Sequence, residues 1–103
     1  MPSWFISRHE GAKVWLQRQG HVIDHLCEHL DPQQVQPGDR VYGTLPIHLA
    51  AQVCARGAEY HHLLLEMPAE ARGRELSADE LELYGARLVQ YECRAVASRI
   101  AGD

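Results

Sequence analysis

The sequence is short of lysine, of paired cysteines and of long apolar runs, and each shortage removes a class of function. Among its basic residues only Lys13 is a lysine; the rest are arginines. With 10 Lys plus Arg against 14 Asp plus Glu the formal charge is −4, so no overall positive field draws in long nucleic acid. A small anion held by local groups stays open. Arginine favours planar, bidentate recognition of oxygens, although a codon bias produces the same skew. The cysteines Cys27, Cys54 and Cys93 are odd in number, widely spaced and without a CxxC pair. Neither a disulfide framework nor a zinc knuckle is indicated, and a reducing cytoplasm fits. The opening MPSWFISRHEG lacks the basic start and apolar run of a signal peptide, and no apolar stretch approaches the ~20 residues of a membrane span. The expectation is a soluble, cytoplasmic protein.

What is present is the balance of an ordinary globular domain: 103 residues, 46% hydrophobic and 23% charged. That length has room for one domain over residues 1–103, built on one core. Trp4-Phe5-Ile6 is a compact apolar run that reads as a first strand. After Gly11 the segment AKVWLQRQG predicts a short helix closed by Gly20. His21 to Leu30 fits either strand or helix, and the order of elements favours a strand in its first half. DPQQVQPGDR, with two prolines and a Pro-Gly-Asp turn signal, predicts an exposed connection.

Beyond it the patterning is strong. Val41 to Leu45 reads as a strand ending at Gly43-Thr44. Pro46 suits the first turn of a helix and Gly57 its end, which predicts a helix near 46–56 with an apolar stripe on Leu49, Ala50, Val53 and Cys54. AEYHHLLLEM is the next strand. Ser77 and Glu80 match a capping box, with Leu76 and Leu81 as its hydrophobic staple. Val89, Tyr91, Cys93 and Ala95 alternate with polar residues and predict a closing strand. Strands alternating with helices at this spacing imply a small Rossmann-like α/β domain, a mostly parallel sheet flanked by helices.

In such sheets ligands lie beyond the carboxyl ends of the strands. That rule selects two loops, residues 7–11 and residues 43–46. A helix start presents free N–H groups and a positive dipole end to an anion, and Gly43 before it lets the backbone come close. Thr44 adds a hydroxyl, or else serves as the helix N-cap. His48 in the first turn, with Arg8 and His9 from the neighbouring loop, would complete a cradle for a phosphodiester; each also reads as an ordinary solvated residue. Neither a GxGxxG nor a GxxxxGK fingerprint occurs, so no dinucleotide or nucleoside triphosphate is indicated. His21, His25 and His29 are spaced four apart but lack a confirming carboxylate or cysteine, so no metal is expected. His61-His62 in a strand would point to opposite faces. Arg72-Gly73-Arg74 reads as a solvated loop or as a lid over an anion.

FISRHEGAKVWLQRQG and the stretch from EHLDPQQ to GRELS resemble the small stand-alone CRISPR-associated proteins of the Csx-sixteen type, grouped with the ring nucleases. The resemblance spans roughly residues 4 to 91. It is carried by Ser7-Arg8-His9, His29-Leu30-Asp31-Pro32, the segment from Gly43 to His48, and the segment from Arg72 to Ser77. It implies a CARF-like fold, a homodimer, no cofactor and cyclic tetra-adenylate as ligand. It also implies a metal-independent phosphodiesterase, in which the ribose 2′-hydroxyl attacks its neighbouring phosphorus to give di-adenylate ending in a 2′,3′-cyclic phosphate. On that footing Arg8, His9 and His48 are the catalytic candidates. Ser7, Gly43, Thr44, Leu45, Pro46 and Arg72 are the ligand-binding ones. A sponge that holds the ring without cleaving it is the alternative, and a dimeric regulator with an unused pocket is a second.

Overall fold

Trp4 and Phe5 point to opposite sides of the first strand and both are buried, which requires cover on both faces of the sheet. The computed structural model describes residues 2–7, 9–66, 68–71, 73 and 75–96, and shows that cover. The elements run β1 (Ser3–Ile6), α1 (Glu10–Arg18), β2 (His25–Cys27), β3 (Arg40–Gly43), α2 (Ile47–Ala55), β4 (Glu59–Leu64), α3 (Ala78–Leu83) and β5 (Arg87–Tyr91). The strands form one sheet in the order β2-β1-β3-β4-β5, parallel except for β5, which runs antiparallel to β4. The mixed α/β architecture with a mostly parallel sheet agrees with the alternation of the sequence.

The chain moves from β1 outward to β2, then crosses back and moves outward from β3 to β4 on the other side. Right-handed crossovers in opposite directions put α1 and α2 on opposite faces. One face packs Phe5, Tyr42 and Leu63 under Trp15 and Leu16 of α1 and Leu81 of α3. The other packs Trp4, Val41 and Tyr60 under Ala50 and Val53 of α2, with Val35 and Leu30 closing the side. No helix among the described residues is long and apolar enough to cross a membrane.

Local chemistry explains the boundaries. α1 begins at Glu10, one residue before Gly11, and Gly11 sits inside the helix because a Cβ there would run into the carbonyl oxygen of Leu76. α3 starts as the sequence predicts. Ser77 Oγ accepts from Glu80 N–H at 3.1 Å, and Glu80 Oε1 accepts from Ser77 N–H at 3.1 Å. Leu76 and Leu81 pack in the same cluster, as a staple requires.

Three expectations are corrected. The strand in the undecided 21–30 segment is β2, in the middle of that segment rather than its first half. It is a three-residue edge strand with His25 and Leu26 exposed, too short and too open to leave a hydrophobic signature. The 31–40 connection is not simply exposed: Val35 is 0% and Asp39 1% accessible. Asp39 Oδ2 accepts from Trp4 Nε1–H at 3.0 Å and from Gln36 N–H at 2.9 Å, so the aspartate that reads as a turn residue is a buried clamp. Finally, the N-cap of α2 is Pro46, with no side-chain cap, and not Thr44, which lies two residues too early to bond the first turn.

Candidate functional site

Strand order reverses between β1 and β3, and the loops leaving these two strands diverge from the sheet to leave a crevice. Ile6 pairs with Gly43 at the lip. A Cβ on Gly43 would lie 2.8 Å from the carbonyl oxygen of Ile6, so only glycine lets the two backbones approach at the crevice floor.

Each loop is held from behind. Ser7 N–H donates to Cys27 O at 2.9 Å, tying the exit of β1 to β2, and Ser7 Oγ accepts from His9 N–H at 3.0 Å. His9 is the N-cap of α1 and is exposed; its Nδ1 lies 3.8 Å from Glu75 Oε1. On the β3 side the buried Tyr60 hydroxyl accepts from Leu45 N–H at 2.8 Å and lies 3.2 Å from Gly43 O and 2.6 Å from His62 Nδ1. A phenol has one hydrogen to donate. It goes to His62 Nδ1 or to Gly43 O, the His62 tautomer deciding which, and either arrangement fixes residues 43–45. Burial pushes the Tyr60 phenol above its ordinary value, partly offset by the Leu45 N–H, so the hydroxyl stays neutral.

Two adjoining depressions open here and share Ile6, Ser7, His9 and Thr44. The larger, about 450 Å³, has an apolar wall of Phe5, Leu63, Leu65, Leu76 and Leu81, with Glu75 and Gly73 at its rim. The smaller, about 370 Å³, is bounded by Glu28, His29 and Leu30 after β2 and by Leu45, Pro46 and Leu49 at the start of α2. α2 has no side-chain cap and no acidic residue in its first turn, so the positive end of its dipole is uncompensated beside this second depression.

The structure therefore brings together Ser7, His9, Gly43, Thr44, Leu45 and Pro46. Arg8 and Arg72 lie outside the described residues; of the 72–74 segment, Gly73 lines the larger depression. His48 is separate. It is exposed and lines a different groove of about 480 Å³, between the outer side of α2 and residues 92–95, with Gln52, Cys54 and Cys93. His48 is the second residue of α2, which starts at Ile47, and its side of the helix is the one that borders residues 92–95.

The histidines spaced four apart do not converge. His21 tilts against Tyr42 on the α1 face, His25 stacks on Trp4 on the α2 face at 4.2 Å, and His29 lines the smaller depression. Burial, then the neighbouring His61 and Arg40, push His21 below its ordinary value. His61 packs on Tyr42 and bonds Glu59, while His62 meets Tyr60 and Tyr91, so the pair does point to opposite faces.

Reading the sequence missed Glu28, His29, Tyr60, Glu75 and Leu76 at this site. His29 is placed here by its structure: it directly precedes the buried Leu30 and follows β2, which pairs in parallel with β1 and so ends on the same side of the sheet. Chemically the crevice combines an apolar chamber, two hydroxyls, two imidazoles and an uncapped helix start. That set suits a ligand with a flat or apolar part and an anionic part, and it can move a proton.

The family model described as "Putative CRISPR-associated protein (Cas_VVA1548)" matches residues 4–94. No curated protein and no solved structure matches the chain.

Proposed function

Because the chain belongs to this CRISPR-associated family, we propose that it is a ring nuclease that opens cyclic tetra-adenylate and so ends a CRISPR signal. The observation that carries the reading is the crevice at the strand-order reversal. There Ser7 and His9 from one loop face the Gly43–Pro46 corner and the uncapped start of α2. In this reading the fold is a Rossmann-like, CARF-like domain, and two copies enclose a ligand that is itself symmetric.

The chemistry asks for three things: a 2′-oxygen held in line with the departing 5′-oxygen, donors for the charge on the phosphoryl oxygens, and a group that moves the proton. The free N–H groups of the first turn of α2 and the Thr44 hydroxyl supply donors. His9 supplies proton transfer, with its backbone fixed through Ser7. The apolar chamber takes an adenine, with the Glu75 carboxylate at its rim as an acceptor for the exocyclic amine. Arg8 and Arg72 are assigned contacts to phosphate from the sequence. Within one copy His48 opens onto the other groove, so a role for it in this reaction needs the second copy.

Labelled cyclic tetra-adenylate incubated with the purified protein in EDTA, with products resolved by chromatography over time, tests the reading. Di-adenylate carrying a 2′,3′-cyclic phosphate is expected. Intact ring that co-elutes with the protein replaces the enzyme by a sponge, a reading favoured by the apolar wall of the larger depression. Intact ring that does not bind overturns both.

A further inference from the structure

We propose that His29 is the second proton-transfer group of the crevice, acting across the smaller depression from His9; this rests on the ring-nuclease reading above. The topology sets the pair up. β2 lies beside β1 with Ile6 opposite Cys27, so the loops carrying His9 and His29 leave the sheet side by side at the same end. The Ser7 N–H to Cys27 O bond at 2.9 Å holds them at that spacing.

His29 is presented rather than loosely attached. Cys27 before it is in the ladder, Leu30 after it is 9% accessible, and Asp31 caps the next turn by accepting from Gln33 N–H at 3.0 Å. Both imidazoles border one depression of about 370 Å³ together with the hydroxyls of Ser7 and Thr44. Among the described residues no other histidine borders either chamber, His48 having gone to the far groove. His29 has no hydrogen bond or ion pair with a described residue, so its imidazole is available to a ligand.

An in-line transesterification has two oxygens at opposite ends of the O–P–O line, one losing a proton as the other gains one. A single imidazole serves one of them; two imidazoles bordering the same depression serve both. In the step, a neutral imidazole takes the proton of the 2′-hydroxyl, the 2′-oxygen bonds to phosphorus and the bond from phosphorus to the 5′-oxygen breaks. The other histidine, as imidazolium, donates its proton to the departing 5′-oxygen. Phosphorus keeps its oxidation state, no co-reactant is consumed, and solvent exchange restores the two protonation states. Among the described residues the charged groups near the pair are Glu75 and Glu10 beside His9 and Glu28 beside His29.

The test is single-turnover cleavage of cyclic tetra-adenylate against pH, with affinity measured in parallel, for wild type, His29→Gln, His9→Gln and the double variant. We expect a two-limbed profile for wild type and a fall of about 10²- to 10⁴-fold in rate for His29→Gln, with affinity within about threefold of wild type and one limb gone. The double variant should be little slower than the slower single one, because the two act as a unit. Free imidazole should restore part of the rate of His29→Ala, a rescue that a merely structural role would not allow. Wild type that cleaves while His29→Gln cleaves equally fast overturns this assignment alone. A slow His29→Gln that keeps both limbs also overturns it. Wild type that fails to cleave overturns the ring-nuclease reading and this assignment with it.

Discussion

The two ends of the same sheet treat their polar groups in opposite ways. At the amino end every strand start is tied down: Asp39 takes Trp4 Nε1–H and Gln36 N–H, Asp39 O takes Glu59 N–H at 2.8 Å, Pro2 O takes Arg40 N–H, and Asp24 Oδ2 takes Ser3 N–H at 2.7 Å. At the carboxyl end the backbone is just as firmly held, through Tyr60 and Ser7. Yet the side chains of Thr44 and His29 meet no described partner, and the helix behind them is uncapped. Polar groups at one end hold the fold; at the other a firmly held floor leaves the side chains of Thr44 and His29 open at the crevice. Substitutions at the two ends of the sheet should therefore separate stability from activity.

The largest effect on stability is expected at the amino end. Asp39→Ala leaves the buried indole N–H of Trp4 without an acceptor, at about 1–3 kcal/mol, and the part-buried N–H of Gln36 likewise, at a smaller cost. Urea unfolding should show a loss of about 2–5 kcal/mol, and a midpoint equal to wild type would break the comparison. Gly43→Ala is the one change that should strike both properties. Its Cβ would meet the Ile6 carbonyl oxygen, costing about 1–3 kcal/mol and spreading the crevice floor, so ligand affinity should fall with stability. Ser77→Ala removes one half of the capping box and should cost about 1 kcal/mol without changing ligand affinity.

Acid gives a smaller effect, with a definite sign. His21 has a folded-state value below its ordinary 6.5, so the folded protein binds that proton less readily than the unfolded chain. Its contribution to stability is fully present above about pH 6.5 and is lost as pH falls through the lower folded value. Unfolding midpoints measured across that range should fall with acidity, and His21→Gln should flatten the fall. The smallest effect on stability is expected for Thr44→Val at the carboxyl end, within about 0.5 kcal/mol of wild type. Its cost should appear as weaker ligand binding, and a Thr44→Val protein that binds normally would remove Thr44 from the site.

Elements with local chemistry of their own were legible in the sequence. The capping box at Ser77 and Glu80, the glycines after α2 and α3, and the apolar runs of β1 and β4 each state their structure within a few residues. What escaped depends on partners far along the chain. β2 is a strand because β1 lies beside it, not because His25-Leu26-Cys27 favours one. Asp39 reads as a turn residue until Trp4, 35 positions away, is placed against it. The site divided in the same way. The loops after β1 and β3 followed from strand order, and so did most of the ligand-binding candidates. His48 was assigned by proximity in sequence and opens onto a different groove, beside residues 92–95, whereas His29 became visible only once β2 was placed at the edge next to β1.

The most direct test of where the ligand sits is a titration of ¹⁵N-labelled protein with cyclic tetra-adenylate, followed by amide shifts. The largest changes are expected on Ser7, His9, His29, Thr44 and Leu45, with Asp39, Gln52 and Cys93 unmoved. Changes centred on Gln52 and Cys93 instead would move the site to the groove beside His48 and contradict it.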